Sequence, residues 1–247
     1  EKEGLTLDIE PTGNNISIRD LSFRYEGPHS NRVLKDIDLE IPSNSVTALV
    51  GVSGSGKTTL VKLLLGYYMP TKGEIKIGDQ SIRNINTSAW RKRCGIVLQD
   101  GFIFSDTIAG NIALGMDGVD TRKLIQATSA ANIDHFIENL PLGYNTRIGN
   151  EGQMISGGEK QRILIARAIY KDPDYFIMDE GTSSLDANNE KQIMQNLEKI
   201  YEGKTVIIVA HRLSTVKNAD QIVVLDEGRA VETGNHQQLT RLRGKYY

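Results

Sequence analysis

The 247-residue sequence has one cysteine, one tryptophan and six prolines, and aromatic side chains make up only 6% of it. With Cys94 alone no disulfide can close within the chain, which suits a reducing compartment and predicts a thiol buried as a small hydrophobe. An excess of charge of either sign is also missing, since 29 Lys and Arg face 31 Asp and Glu. That balance withholds the broad basic surface with which nucleic-acid binders neutralise phosphates, so no nucleic acid is expected as a partner. No apolar run reaches the ~20 residues needed to span a bilayer, and no secretion-signal pattern is present, so this stretch is expected to be soluble. Its polar opening, "EKEGLTLDIEPTGNN", has no helical period and is read as a linker.

What is present is glycine, at 24 positions, and short apolar segments between them. "NISIRDLSFRY" and "VLKDIDLEI" alternate as antiparallel strands with one wet face. "VTALVG" is a buried strand that runs into a glycine-rich turn and then the helix "KTTLVKLLLGYY", a strand-loop-helix unit of α/β proteins. Apolar strands follow at "GIVLQ", "DYFIMDE", "KTVIIVAH" and "QIVVLDEG", and their continuous character predicts a mostly parallel sheet covered on both faces. Between "GIVLQ" and "DYFIMDE" about seventy residues are helical in pattern, "TRKLIQATSAANIDHFIENL" among them, and predict an inserted helical subdomain over about 100–168. The fold class is therefore α/β, with a P-loop core, an N-terminal antiparallel β subdomain and that insertion, all in one domain over 15–247 behind a linker at 1–14.

"GVSGSGKTT", residues 51–59, matches G-x-x-x-x-G-K-S/T directly after a strand and at the opening of a helix. Gly51, Gly54 and Gly56 let the chain wrap with its N–H groups inward, so that Val52, Ser53, Ser55 and Thr59 complete a cradle whose helix start adds a positive dipole end. Lys57 reaches the β- and γ-phosphates of a nucleotide, and the Thr58 hydroxyl suits Mg²⁺, a hard cation that takes oxygen ligands. Asp179 and Glu180 end a buried strand on the edge where α/β sheets bind ligands. The first is placed to hold Mg²⁺ through water, the second to polarise the attacking water. His211 ends another buried strand at that edge and can hydrogen-bond the γ-phosphate or the water. His29, His135 and His236 have no such setting and are expected on the surface.

"ISGGEKQR", residues 155–162, puts two glycines where a helix begins, at a cost of roughly 0.5–1 kcal/mol each relative to alanine. Ser156 and Glu159 form an S-x-x-E capping box, which accounts for the serine. Gly157 and Gly158 leave first-turn N–H groups open to an anion, although the chain already has one phosphate cradle.

Together the ordered motifs "SFRY", "GVSGSGKTT", "VLQD", "ISGGEKQ", "YFIMDE", "SSLD" and "AHR" resemble the nucleotide-binding domain of ABC transporters, from about residue 15 to the end. The resemblance implies ATP and Mg²⁺ as cofactors, Tyr25 stacking on adenine, and Gln99 contacting magnesium or the lytic water. It also implies a head-to-tail pair, expected to be a homodimer, in which Ser156, Gly157, Gly158 and Glu159 meet nucleotide held by the other copy and Asp186 lies at the interface. Four positions depart from the usual pattern: Ile155 for leucine, Glu159 for glutamine, Gly181 for alanine and Asn150 for glutamate. None removes a catalytic group.

"TRIGNEG", "FIFSDTIAGNIALG" and "ETGNHQQLTRLRGKYY" are similar to exporters whose ATPase follows a membrane domain on the same chain, which implies a place at the cytoplasmic face of the cell membrane. Within exporters, "GQMISGGEKQRILIARAIY" and "SSLDANNEK" resemble peptidase-containing peptide or bacteriocin exporters. The alternative, a soluble ABC ATPase of DNA repair or translation, would require a long coiled-coil insertion or a second such domain, and neither is found in this sequence. In the hydrolysis reading, Glu180→Gln retains ATP binding, accumulates the closed dimer and loses about 10²- to 10⁴-fold in turnover, the usual worth of a general base; turnover at the wild-type rate would remove Glu180 from that role.

Overall fold

The computed structural model describes residues 14–27, 30–98, 100–149, 152, 154–179, 187–210 and 213–247, with backbone alone at 187–190 and 213–214. His29, Gln99, Asn150, Glu180, Gly181, Asp186, His211 and all of the expected linker except Asn14 lie outside the described residues. The chain divides into two compact units, Glu1–Arg93 with Gly203–Tyr247, and Cys94–Glu202.

In the first unit β1 (Ile16–Phe23) pairs antiparallel with β2 (Leu34–Ile41) and with β4 (Lys72–Ile77). With β5 (Gln80–Ser81) they make a sheet in the order β2-β1-β4-β5. Alternation decides its buried face: Ile16 lies opposite Ile41 and Ile77, Ile18 opposite Leu39 and Ile75, and all six are buried. Each such aliphatic side chain contributes about 1.5–3 kcal/mol on leaving water. β4 escapes the sequence reading because "KGEIKI" is short and half charged. What holds it in place is a bulge between Arg19 and Ser22, where Asp20 takes a φ of 47° and a Cβ on Gly73 would collide with the carbonyls of Arg19 and Asp20.

β3 (Val46–Val50) lies between β10 (Thr205–Val209) and β11 (Gln221–Asp226), parallel to both, and β12 (Arg229–Gly234) closes the order β12-β11-β3-β10 antiparallel to β11. Thr47, Ala48 and Leu49 are fully buried, as the uninterrupted apolar run predicts for a strand covered on both faces. α1 (Lys57–Leu64) follows β3, with α2 (Thr87–Lys92), α8 (Leu213–Lys217) and α9 (His236–Leu242) later in the unit. The helix expected through "GYY" stops earlier. Gly66 takes a φ of 67°, its N–H donates to the Leu63 carbonyl at 2.9 Å, and the Tyr67 N–H donates to Lys62 at 3.0 Å. This is a Schellman end, which turns Tyr67 and Tyr68 out of the helix. Trp90, buried on α2, donates Nε1–H to the Leu64 carbonyl at 2.7 Å and satisfies another acceptor of that terminus.

In the second unit β6 (Cys94–Val97) pairs parallel with β9 (Tyr175–Asp179), and the Cys94 thiol is buried as expected. Between them come the ribbon of β7 (Asp106–Thr107) with β8 (Arg147–Ile148), and the helices α3 (Ile108–Ile112), α4 (Thr121–Ala130), α5 (Asp134–Glu138) and α6 (Gly157–Tyr170); α7 (Ala187–Ile200) follows β9. The pattern that reads as one helix over 121–140 is two, because Asn132 takes a φ of 53° and closes α4 with a second Schellman end. Asparagine tolerates that conformation better than other side chains that carry a Cβ.

A polar clamp holds the stretch before α3. The fully buried Asn111 accepts from the Phe104 N–H at 2.9 Å and donates to the carbonyls of Phe104 and Thr107 at 3.0 and 3.1 Å. Arg167 on α6 donates to the carbonyls of Asn111 (2.7 Å) and Phe102 (2.9 Å) and to Asn111 Oδ1 (3.1 Å), and its guanidinium lies 5.7 Å from the Phe104 ring centre. Burial lowers its pKa to about 10, so it stays charged at neutral pH and needs these acceptors. Burial likewise lowers the pKa of Lys171, which donates to the Cys94 carbonyl at 3.3 Å. Asn111→Ala strands the Phe104 N–H and one donor of the buried Arg167 guanidinium and is expected to destabilise this segment by about 2–4 kcal/mol. Hydrogen–deuterium exchange across residues 102–112 checks it, and protection unchanged from the wild type would refute the clamp.

Candidate functional site

In the first unit the loop between β3 and α1 has a conformation that only glycine accepts at its key points. Gly51 has a φ of 148°, and a Cβ there would collide with the Leu225 carbonyl of β11 and lie 2.9 Å from Ser55 Oγ. Gly56, with a φ of 105°, is the N-cap of α1, and a Cβ on it would press Leu34. Gly54 has a φ of 79° and nothing within 4 Å of its Cβ position, so its surroundings are open.

That loop opens into a helix start with no side-chain cap and no acidic residue in its first turn. Unsatisfied first-turn N–H groups carry the positive end of the helix dipole, and among the described residues no side-chain cap or first-turn acid neutralises it. Lys57 is buried to 6% exposure, with Nζ donating to the carbonyls of Gly51 at 2.8 Å and Val52 at 2.9 Å. The ammonium thus ties the loop into a ring around itself. Ser55 Oγ is buried without a hydrogen-bond partner among the described residues, a polar atom set in the loop wall. Thr58, next along, is exposed. Tyr25, two residues past the end of β1, reaches this loop through a 3.1 Å hydrogen bond between its hydroxyl and Thr59 Oγ1. Its ring meets Phe23 and Tyr68 edge to face, with centroids 5.0 and 5.2 Å away. The unit therefore joins Tyr25 to Thr59, at the start of α1 behind the loop.

In the second unit Asp179 ends β9, 2% exposed. A buried carboxylate costs several kcal/mol unless hydrogen bonds or a cation compensate it. Ser156 caps α6: its side chain accepts from the Glu159 N–H at 3.3 Å, and the Ser156 N–H donates to Glu159 Oε2 at 2.7 Å. The capping box engages the N–H groups of Ser156 and Glu159. Among the described residues the N–H groups of Gly157 and Gly158 carry no side-chain cap. The two segments singled out as exporter-like, around residues 102–115 and 146–152, meet in the β7–β8 ribbon, where Ile108 N–H donates to the Thr146 carbonyl at 3.0 Å.

Hard oxygens and amide donors suit a magnesium nucleotide. Among the described residues no cluster of three His, Cys, Asp or Glu forms a cage, and magnesium in nucleotide sites takes one or two protein ligands, with phosphate and water supplying the rest. Of the remaining histidines, His135 is exposed. His236 is half-buried instead, its Nδ1 2.7 Å from the Tyr246 hydroxyl, an aromatic contact that its polar sequence neighbours do not announce. Tyr68 is the participant that sequence reading misses: "GYY" looks like the last turn of α1, and only Gly66 before it signals otherwise.

The profile described as ABC transporter matches residues 34–183. The chain belongs to the ABC transporter family. Within it, the chain matches the ATP-binding domain of exporter-type proteins. It is 45% identical over 98% of its length to an ATP-dependent lipid A-core flippase of Syntrophus aciditrophicus, covering 40% of that protein. It is 42% identical over 98% of its length to the leukotoxin export ATP-binding protein LtxB of Aggregatibacter actinomycetemcomitans, covering 34% of it. A bacterial Atm1-family ABC exporter solved with ATP bound superposes with a TM-score of 0.91 at 37% identity, over the whole of this chain and 43% of that one. The chain thus spans about two fifths of the length of the relatives it matches.

The loop geometry separates its glycines. Gly51→Ala meets a backbone carbonyl that β3–β11 pairing holds in place, and ATP affinity is expected to fall at least about 100-fold. Gly54→Ala meets only left-handed strain of about 1–2 kcal/mol, near tenfold in affinity. Equilibrium ATP titration of both variants decides it, and equal losses would contradict the geometry.

Proposed function

We propose that this chain is the ATPase of an ABC exporter: two copies close around two ATP molecules, hydrolysis reopens them, and the cycle drives a membrane domain. The observation that carries the reading is the acid-free, uncapped start of α1 behind Lys57 and the left-handed glycines, an anion cradle joined to Tyr25 through Thr59.

In this reading the residues of 51–59 wrap the triphosphate with their N–H groups, and Lys57 turns its ammonium from the loop carbonyls to the β- and γ-phosphates. Tyr25 stacks on adenine. The Thr58 hydroxyl and Gln99 hold Mg²⁺, with Asp179 acting through water. Mg²⁺, when bound, neutralises charge on the phosphates. Glu180 polarises the attacking water, and His211 steadies it or the γ-phosphate. Ser156, Gly157, Gly158 and Glu159 of one copy serve the nucleotide of its mate, near Asp186. The two amides left open by the capping box support this use, since a capped helix start gains nothing from paired glycines unless something approaches them.

A membrane domain on the same chain is the partner, and the length of the relatives, more than twice that of this chain, supports it. Residues 1–14 are the linker from that domain, 15–247 the ATPase and about 100–168 its helical subdomain. The cytoplasmic face of the cell membrane is the implied location. Peptide cargo is the finer reading, drawn from the sequence resemblance to peptide exporters and supported by similarity to a leukotoxin export protein.

In the full-length protein, Gly158→Trp is expected to cut ATP turnover at least about 100-fold by blocking the mate's approach, with ATP affinity at the 51–59 loop within about twofold of wild type. Turnover at the wild-type rate, or turnover and affinity lost together, would overturn the partner-site reading.

A further inference from the structure

Tyr25 lies beyond the last pairing of β1, where a side chain is free to swing unless something holds it. Three contacts hold it: its hydroxyl on Thr59, the buried Phe23 ring 5.0 Å away at 83°, and the Tyr68 ring 5.2 Å away at 90°. Tyr68 also touches Phe23, centroids 5.6 Å apart, so the three rings form a closed cluster. Phe23 belongs to the core and Thr59 to the loop helix. Tyr68 is neither: it is 43% exposed, its hydroxyl makes no hydrogen bond among the described residues, and it reaches Tyr25 only because α1 ends at Gly66. Its neighbour Tyr67 has another task, lying under the Arg91 guanidinium at 5.4 Å. An exposed aromatic whose packed neighbours are Tyr25 and the residue beneath it has a geometric use for its ring and none for its phenol.

We infer that Tyr68 is a positioning residue that sets the plane of the Tyr25 ring for stacking on the nucleotide base. The inference rests on the proposed base-stacking role of Tyr25. Edge-to-face packing restricts the ring before the base arrives, so less freedom is lost on binding. Because the contact is between rings, phenylalanine serves as well as tyrosine. Because it acts through the base, a ligand without a base is indifferent to it.

The test compares ATP with inorganic tripolyphosphate, binding each to the full-length wild-type protein and to its Tyr68→Leu, Tyr68→Phe and Tyr25→Leu variants. Tyr68→Leu is expected to weaken ATP about two- to tenfold, the fold-change of an aromatic pair, and Tyr68→Phe to restore it. Tripolyphosphate binding stays at the wild-type level in both. If Tyr68→Leu binds ATP like the wild type, or loses both ligands equally, the inference falls. If Tyr25→Leu leaves ATP affinity unchanged, the base-stacking reading falls instead, and the inference with it. Should Tyr68→Leu not fold, Tyr68→Met takes its place in the same comparison, and the same outcomes sustain or overturn the inference.

Discussion

The loop at residues 51–59 depends on one close approach: the backbone at Gly51 runs so near the Leu225 carbonyl of β11 that no Cβ fits between them. Parallel pairing of β3 with β11 sets that distance, with Val50 opposite Val224. From there the chain cannot continue as a strand. It wraps around the Lys57 ammonium and enters α1 with its first amides uncovered. The phosphate-binding character of the loop is thus a product of sheet pairing as much as of its own residues. Lysine and serine in a straightened loop would present no convergent donors.

The two helices α1 and α6, whose starts carry glycine, solve the same problem differently. α1 leaves its amino end without cap or acid, whereas α6 fills part of its own with Glu159 and keeps the amides of two glycines open. A carboxylate already on the α6 dipole lowers its appetite for a fully charged anion. On the proposed reading it suits a surface that meets a phosphate already held by another copy better than one that captures phosphate alone.

The second unit shows how a region poor in sheet is still made rigid. Its β7 and β8 are two residues each, so hydrogen bonds between strands contribute little. Asn111 and Arg167 replace them, tying the segment after residue 100 to α6 through side chain to backbone bonds. Such bonds are strong in a buried setting because loss of either partner leaves a polar group that water cannot reach. The same clamp presents Phe102 and Phe104 at the surface, edge to face at 5.1 Å.

Much of this was legible in residue order. Strand alternation in β1 and β2, the apolar runs of β3, β9, β10 and β11, the spacing of the 51–59 loop and the Ser156–Glu159 capping box are all local patterns, and local patterns survive without knowledge of contacts. The features that were not legible depend on contacts far apart in sequence. β4 is too polar to read as a strand and exists because β1 supplies its partner and a bulge. β12 is an edge strand with alternating exposure, paired among the described residues through β11. α1 and α4 end at Gly66 and Asn132 rather than where apolar spacing stops, since a left-handed residue closes a helix even when helix-forming residues continue beyond it. By itself, then, the sequence determined the family and the cradle, because these reside in residue type and spacing. Tertiary structure alone decided which atoms meet: Thr59 with the Tyr25 hydroxyl, Tyr68 with the Tyr25 ring, Arg167 with Asn111. Each pair is joined by packing across dozens of intervening residues, and no short pattern encodes the distance that packing sets.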